Sequence, residues 1–150
     1  MRVGGRDLRA VWWTEEGVGF VDQRRLPASL ESAVARDVEE VACAIEAMAV
    51  RGAPAIGVLA AYGLALAARR GAPLEAAAAR LLGTRPTAVN LRAGLAAVRR
   101  AAPDPEAMLA AARAWDEAEV AAAAAIGRHG LALLRPGIRV LTHCNAGWLA

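Results

Sequence analysis

The sequence contains no lysine and few aromatic residues. All 18 basic residues of the 150-residue chain are arginine, and aromatic residues make up 4 %, whereas apolar residues, mainly alanine, reach 57 %. A core with so few large rings must be filled by small side chains, so we expect mainly closely packed helices. This length allows one domain with a real core, or a small domain and part of another.

The arginines leave a net charge of +3, but they form no continuous basic run. Arg69 and Arg70 precede a glycine, and Arg99 and Arg100 precede Ala-Ala-Pro. At such positions cations complement the C-terminal end of a helix. We therefore expect surface arginines at helix ends and no nucleic-acid partner.

Cysteine is scarce, and long apolar runs are absent. Cys43 and Cys144 lie far apart, and the first seven residues lack the apolar segment of a secretion signal. The most apolar stretch, residues 53–68, is shorter than the roughly 20 residues that cross a membrane. We expect a reduced, cytoplasmic protein without a membrane partner, and a buried core helix over that stretch.

The chain divides into three predicted regions. Residues 1–35 form a small N-terminal β subdomain, with strands on either side of a turn at 14–17; a third segment, 30–35, fits either a strand or the start of a helix. Residues 36–136 form a helical bundle. Residues 137–150 contain a strand of the buried type followed by a loop. The predicted fold class is α+β.

Helical spacing and helix-start signals define the bundle. Asp37 begins a capping-box-like segment, and Gly57 and Gly63 indicate that another backbone or a ligand comes close to the second helix. Asp116 belongs to an acidic group with Glu117 and Glu119 that we interpret as a solvent-facing surface. The predicted helices cover residues 38–49, 54–70, 73–82 and 105–134, the last with a break allowed at Gly127 or Gly130.

Two turns place an arginine at the start of a helix. Residues 51–54 read Arg-Gly-Ala-Pro, with Pro54 where a missing N–H costs nothing. Free amides at a helix start attract anions, and a guanidinium matches phosphate oxygens. Residues 84–90 (TRPTAVN) repeat this pattern, with Thr84 and Thr87 as candidate caps. The alternative is a pair of tight surface turns with exposed arginines.

Cys144 follows the predicted strand directly. The end of a strand in an open α/β sheet is a common ligand site. Adjacent residues of a strand point to opposite faces, so His143 is badly placed to activate the thiol. A reactive and a packed cysteine remain equally open on these grounds. No second Cys/His pair has zinc-ligand spacing, so we expect no metal.

Three motifs together resemble one family. They are VRGAPAIG at residues 50–57, RPTAVNL at 85–91 and LTHCNAG at 141–147, with supporting matches at 21–27 and 125–130. They are similar to the signatures of methylthioribose-1-phosphate isomerases, whose wider family includes ribose-1,5-bisphosphate isomerases and regulatory subunits of the translation initiation exchange factor. The second and third motifs favour the methylthioribose-phosphate branch.

The resemblance implies an aldose–ketose isomerase of methionine salvage that needs no cofactor and acts on 5-methylthioribose 1-phosphate. By motif, Arg51 with Gly52 and Ala53 binds the phosphate end, Arg85 is a second substrate-binding residue, and Cys144 is the catalytic thiol. Proton transfer through an enediolate and a hydride shift are both open. The alternative is a non-catalytic regulatory protein that binds a phosphorylated ligand.

The sequence departs from the family pattern in two places. A tryptophan usual after the second motif is replaced by residues 92–94, Arg-Ala-Gly. The family's enzymes also continue through a Rossmann-like domain that supplies an acid/base aspartate, of which residues 137–150 would be the first strand and active-site loop. We therefore expect only the N-terminal half of the site here, and a homodimer or partner that covers the unpaired strand edge.

Overall fold

An N-terminal β region precedes five helices in the computed structural model, which describes residues 2–3 and 6–150. The strands are β1 (Arg2–Val3), β2 (Arg6–Asp7), β3 (Val11–Trp13), β4 (Val18–Val21) and β5 (Ser32–Ala35), with a short 3-10 helix at Gln23–Arg25 between β4 and β5. β1 and β2 pair with each other, and the other three form an antiparallel sheet in the order β3-β4-β5. The segment that fitted a strand or a helix start is thus a strand, β5.

The helices follow the predicted order closely. Asp37 caps the first of them by accepting a hydrogen bond from the Glu40 amide at 2.8 Å, as the capping-box pattern predicted. Arg69 and Arg99 lie in the last turns of their helices, which confirms the expected helix-end arginines. The five helices are α1 (Val38–Glu46), α2 (Ala53–Arg69), α3 (Leu74–Thr84), α4 (Val89–Arg99) and α5 (Pro105–Leu131). α5 runs through both candidate breaks.

α2 is the central element of the core. Every residue from 55 to 68 is buried, because the sheet and the other four helices pack around it. The prediction of a buried core helix is confirmed. Among residues 2–3 and 6–150, none of the helices combines the length and the apolar character needed to cross a membrane.

Glycines allow the helices around α2 to come close. A Cβ on Gly57 would lie 2.7 Å from the carbonyl oxygen of Asn90, and one on Gly63 would lie 2.8 Å from a methyl group of Val41. A Cβ on Gly94 would lie 2.5 Å from the carbonyl oxygen of Gly57. The predicted close approach is therefore confirmed as helix packing, with α4 lying backbone to backbone on α2.

The C-terminal segment differs from the prediction. Residues 138–142 form no strand and carry no ladder hydrogen bonds. A buried-type strand needs a neighbouring strand for its amides and carbonyls, and the described part of the chain offers none beside it. The α+β class, with a small antiparallel sheet followed by a helical bundle, is confirmed. The prediction of a final strand is wrong, because residues 138–142 form none.

Candidate functional site

The first arginine turn lies where α2 begins. Gly52 is the N-cap residue with φ of +103°, a conformation that favours glycine, and no side chain caps the helix. The main-chain oxygen of Ala150 accepts a hydrogen bond from the Ala55 amide. The start of α2 therefore already binds an oxygen acceptor in this structure, as expected for free helix amides. The Arg51 side chain is exposed beside it.

Gln23 connects this turn to the rest of the molecule. Its side chain is almost fully buried and donates to the carbonyl oxygens of Arg51 at 3.3 Å and Leu149 at 3.0 Å. Its side-chain oxygen accepts from Arg51 Nε at 3.4 Å. Asn145 Nδ2 also donates to the Arg51 carbonyl, at 3.1 Å. Sequence reasoning assigned no role to Gln23, whose one signal was its place in the supporting match at 21–27.

Cys144 lies next to Asn145 and is therefore close to the Arg51 turn. Its thiol is exposed and its φ of +64° is uncommon for a residue with a side chain. The residue lies in a bend rather than at the end of a strand. The structure thus brings the third motif to the first through Asn145.

Arg85 ends α3, and its side chain is exposed. No hydrogen bond or ion pair holds its guanidinium within the part of the chain that the structure describes. The two predicted caps are wrong: Thr84 donates to the Leu81 carbonyl at 2.6 Å inside α3, and the N-cap residue of α4 is Ala88, without a side-chain bond. The amides at the start of α4 are therefore left to water or a ligand.

A largely apolar cavity of about 650 Å³ opens between the start of α2, the C-terminal half of α5 and the segment before β3. Asp116 is a polar residue in its wall, and its side chain is only 13 % exposed. It accepts from the Tyr62 hydroxyl at 3.1 Å and from Arg9 Nη1 at 3.3 Å. The interpretation of Asp116 as solvent-facing is therefore wrong, whereas Glu117, 69 % exposed, does face solvent.

Burial shifts the pKa of both the Asp116 carboxyl and the Tyr62 hydroxyl. It raises the pKa of the Asp116 carboxyl, against the opposing effect of Arg9 and Tyr62. Burial, together with the charge of Asp116, also raises the pKa of Tyr62. Tyr62 therefore stays a hydrogen-bond donor throughout the physiological range, and Asp116 is the titrating member.

Asp116→Asn is expected to flatten the dependence of stability on pH. Because the folded chain holds the Asp116 proton above the ordinary pKa of 3.8, the free energy of unfolding falls as pH rises through the window from that value to the raised pKa. Asparagine keeps an oxygen for Tyr62 and removes this contribution. As pH rises above the ordinary carboxyl pKa, the melting temperature should fall less steeply than in the wild type. Glu106→Gln, which changes an exposed carboxylate in the first turn of α5, is the control, and a parallel decline in Asp116→Asn would contradict the account.

The other cysteine has a different setting. Cys43 lies on α1 with its Sγ 3.6 Å from Glu39 Oε1. Local desolvation and the carboxylates of Glu39 and Glu46 raise the pKa of its thiol. A thiol that stays protonated is a poor nucleophile, so Cys43 provides an internal comparison for Cys144. Within the described ranges, no three His, Cys, Asp or Glu side chains are grouped so as to hold a metal ion.

Comparison with known proteins identifies relatives for the whole chain. The family model described as "Initiation factor 2 subunit family" matches residues 49–150. A methylthioribose-1-phosphate isomerase of Methylocella silvestris is 48 % identical over all of this chain and 46 % of its own length. That of Rhizobium meliloti is 46 % identical, over all of this chain and 47 % of its own length. The chain spans about half the length of the curated relatives it matches.

Two solved structures share the fold. Translation initiation factor eIF-2B, subunit delta, from A. fulgidus matches with a TM-score of 0.71 and 38 % identity, over 95 % of this chain and 46 % of that one. The 5-methylthioribose 1-phosphate isomerase from Pyrococcus horikoshii matches with a TM-score of 0.70 and 36 % identity, over 94 % of this chain and 44 % of that one. Both support the order of sheet and helices described above.

Proposed function

This chain belongs to the initiation factor 2 subunit family, and from that membership we propose that it carries the phosphate-binding part of a methylthioribose-1-phosphate isomerase site. The observation that carries the proposal is the Arg51 turn, where an exposed arginine lies beside the start of α2, which no side chain caps. The relatives named for this activity, 48 % and 46 % identical, support the choice of substrate.

In the proposed complex the phosphate on C1 of the sugar binds at the start of α2. The amides after Gly52 and the Arg51 guanidinium would donate to its oxygens, and Ala53 would lie against it. A phosphate oxygen takes the place of the Ala150 oxygen on the Ala55 amide, so the segment around Ala150 moves aside. Arg85 approaches the same ligand from the turn before α4.

The chemistry requires more than binding. A phosphate on C1 prevents spontaneous ring opening, so the ring must be opened before hydrogen moves from C2 to C1. We propose that Cys144 is the thiol beside these carbons, because Asn145 joins its turn to the Arg51 carbonyl. In this proposal residues 137–150 belong to a second, Rossmann-like domain. The acid/base carboxylate comes from the part of the relatives' length that this chain does not span.

Cysteine alkylation tests this placement in the chain as it stands. We expect 5-methylthioribose 1-phosphate to slow the reaction of iodoacetamide with Cys144 and to leave the reaction of Cys43 unchanged. The reason is that only Cys144 lies beside the Arg51 turn, although both thiols are exposed. Peptide mass spectrometry measures the two rates in one sample. Equal rates at Cys144 with and without the sugar phosphate would remove the thiol from the proposed site.

A non-catalytic ligand-binding role is the second candidate. It is favoured by the likeness to the eIF-2B delta subunit structure, which matches as well as the isomerase structure does. This role predicts that inorganic phosphate or ribose 5-phosphate binds as tightly as 5-methylthioribose 1-phosphate. The isomerase proposal predicts a clear preference for the methylthio sugar in a competition titration.

We also propose that the protein acts in the cytoplasm as a homodimer, without binding nucleic acid. Support for an association surface comes from large apolar side chains after α5, among them Leu133, 78 % exposed, and Leu141, 97 % exposed. Patches of this kind mark interaction sites. Native mass spectrometry at low micromolar concentration should show a dimer that Leu141→Glu weakens. A monomer at all concentrations would refute this part of the proposal.

A further inference from the structure

The two arginine turns lie at the ends of helices that touch through their backbones. Asn90, in the first turn of α4, lies with its carbonyl oxygen against Gly57 of α2, where a Cβ would be only 2.7 Å away. Gly57 follows Gly52 by five residues, and Asn90 follows Arg85 by five. Both turns therefore lie within about two helical turns of one contact. That contact fixes their relative position.

Asn90 also connects α4 to α5. Its Nδ2 donates to Glu119 Oε1 at 3.3 Å, and both side chains are partly buried. Arg92 donates to the Pro86 carbonyl at 3.3 Å. That bond joins α4 only to the turn before it and does not attach α4 to another helix. A hydrogen bond to a carboxylate is stronger than a neutral one. The Asn90 and Glu119 pair is therefore suited to hold the start of α4 against α5.

We propose that Asn90 and Glu119 are positioning residues that hold the Arg85 turn where its guanidinium and that of Arg51 reach the same phosphate. The inference rests on the proposed function and extends it to two residues that act by holding the Arg85 turn in place. Glu119 acts through Asn90, and Asn90 acts through the turn that precedes it.

Whether loss of the Glu119 carboxylate weakens or strengthens anion binding distinguishes a positioning role from a purely electrostatic one. Removing a carboxylate near an anion site strengthens anion binding if charge alone matters. Loss of positioning weakens it instead. We expect Glu119→Ala to weaken the binding of 5-methylthioribose 1-phosphate roughly 3- to 10-fold, as measured by calorimetry on the 150-residue chain. Glu119→Gln keeps an oxygen for Asn90 and should bind at least as tightly as the wild type.

A double-mutant cycle tests the route through Arg85. In an Arg85→Ala background, Glu119→Ala should cause no further loss of affinity, whereas in an Arg51→Ala background its effect should persist. Glu117→Ala, on the exposed side of α5, is the matched control and should leave the affinity unchanged. Circular dichroism and melting curves verify that each variant is folded.

The outcomes distinguish the two proposals. Equal or tighter binding by Glu119→Ala, or the same loss in the Arg85→Ala background, overturns the positioning role while the proposed function stands. If neither Arg51→Ala nor Arg85→Ala changes the affinity, the proposed function fails and this inference fails with it.

Discussion

Arg51→Ala is expected to weaken the binding of 5-methylthioribose 1-phosphate about 10- to 100-fold, because a hydrogen-bonded charge facing the phosphate is lost. The guanidinium is oriented before binding, since Gln23 accepts from its Nε at 3.4 Å. Little side-chain freedom should then be lost when the ligand binds. Isothermal titration calorimetry measures the affinity directly.

Arg99→Ala is the matched control for this loss of charge. Arg99 lies at the end of α4 and pairs with Glu75 at 2.6 Å, an exposed ion pair of small energetic value. Both variants lower the net charge equally, so a general electrostatic effect would weaken binding equally in both. Equal losses would show that the Arg51 turn has no special role.

Gly94→Ala is expected to lower the free energy of unfolding by about 2 kcal/mol, net of the gain in helix propensity. The added Cβ would lie 2.5 Å from the Gly57 carbonyl oxygen and 3.1 Å from its carbonyl carbon, so α2 and α4 must separate. Backbone atoms of two packed helices cannot yield as the end of a flexible side chain can. Urea denaturation followed by circular dichroism measures the change.

Gly127→Ala is the opposite case on α5. Nothing lies within 4 Å of the added carbon, and the residue is exposed within a continuous helix. Alanine should therefore raise the free energy of unfolding by about 0.5 to 1 kcal/mol. If Gly94→Ala were equally stabilising, the close contact of α2 and α4 would be refuted.

Local signals predicted most of the helices. Asp37 caps α1 because its side chain reaches an amide three residues ahead, an interaction contained within the sequence window. α2 was predicted as a core helix because its apolar run is longer than a strand and shorter than a membrane span. Such features are determined by residues that are close together in the sequence, so they can be predicted from the sequence alone.

The residues that sequence reasoning misjudged depend on distant partners. Asp116 belongs to an acidic surface in the sequence but lies beside Tyr62, 54 positions away, in the fold. Gln23 contacts Leu149 across 126 positions. Residues 138–142 have strand character, but a strand requires a partner that the described chain does not place there. For the site, the motifs located the two arginine turns, whereas the links through Gln23, Asn145 and Asn90 emerge only in three dimensions.

The most direct test of the central claim, that two arginine turns bind one sugar phosphate, is an amide chemical-shift titration of the 150-residue chain with 5-methylthioribose 1-phosphate. The account predicts that the amides of residues 51–53 and 55 and those of residues 85 and 87–90 shift together, saturate with one dissociation constant, and both need about 10- to 100-fold more ligand in Arg51→Ala. Shifts in only one of the two turns, or in neither, would contradict it.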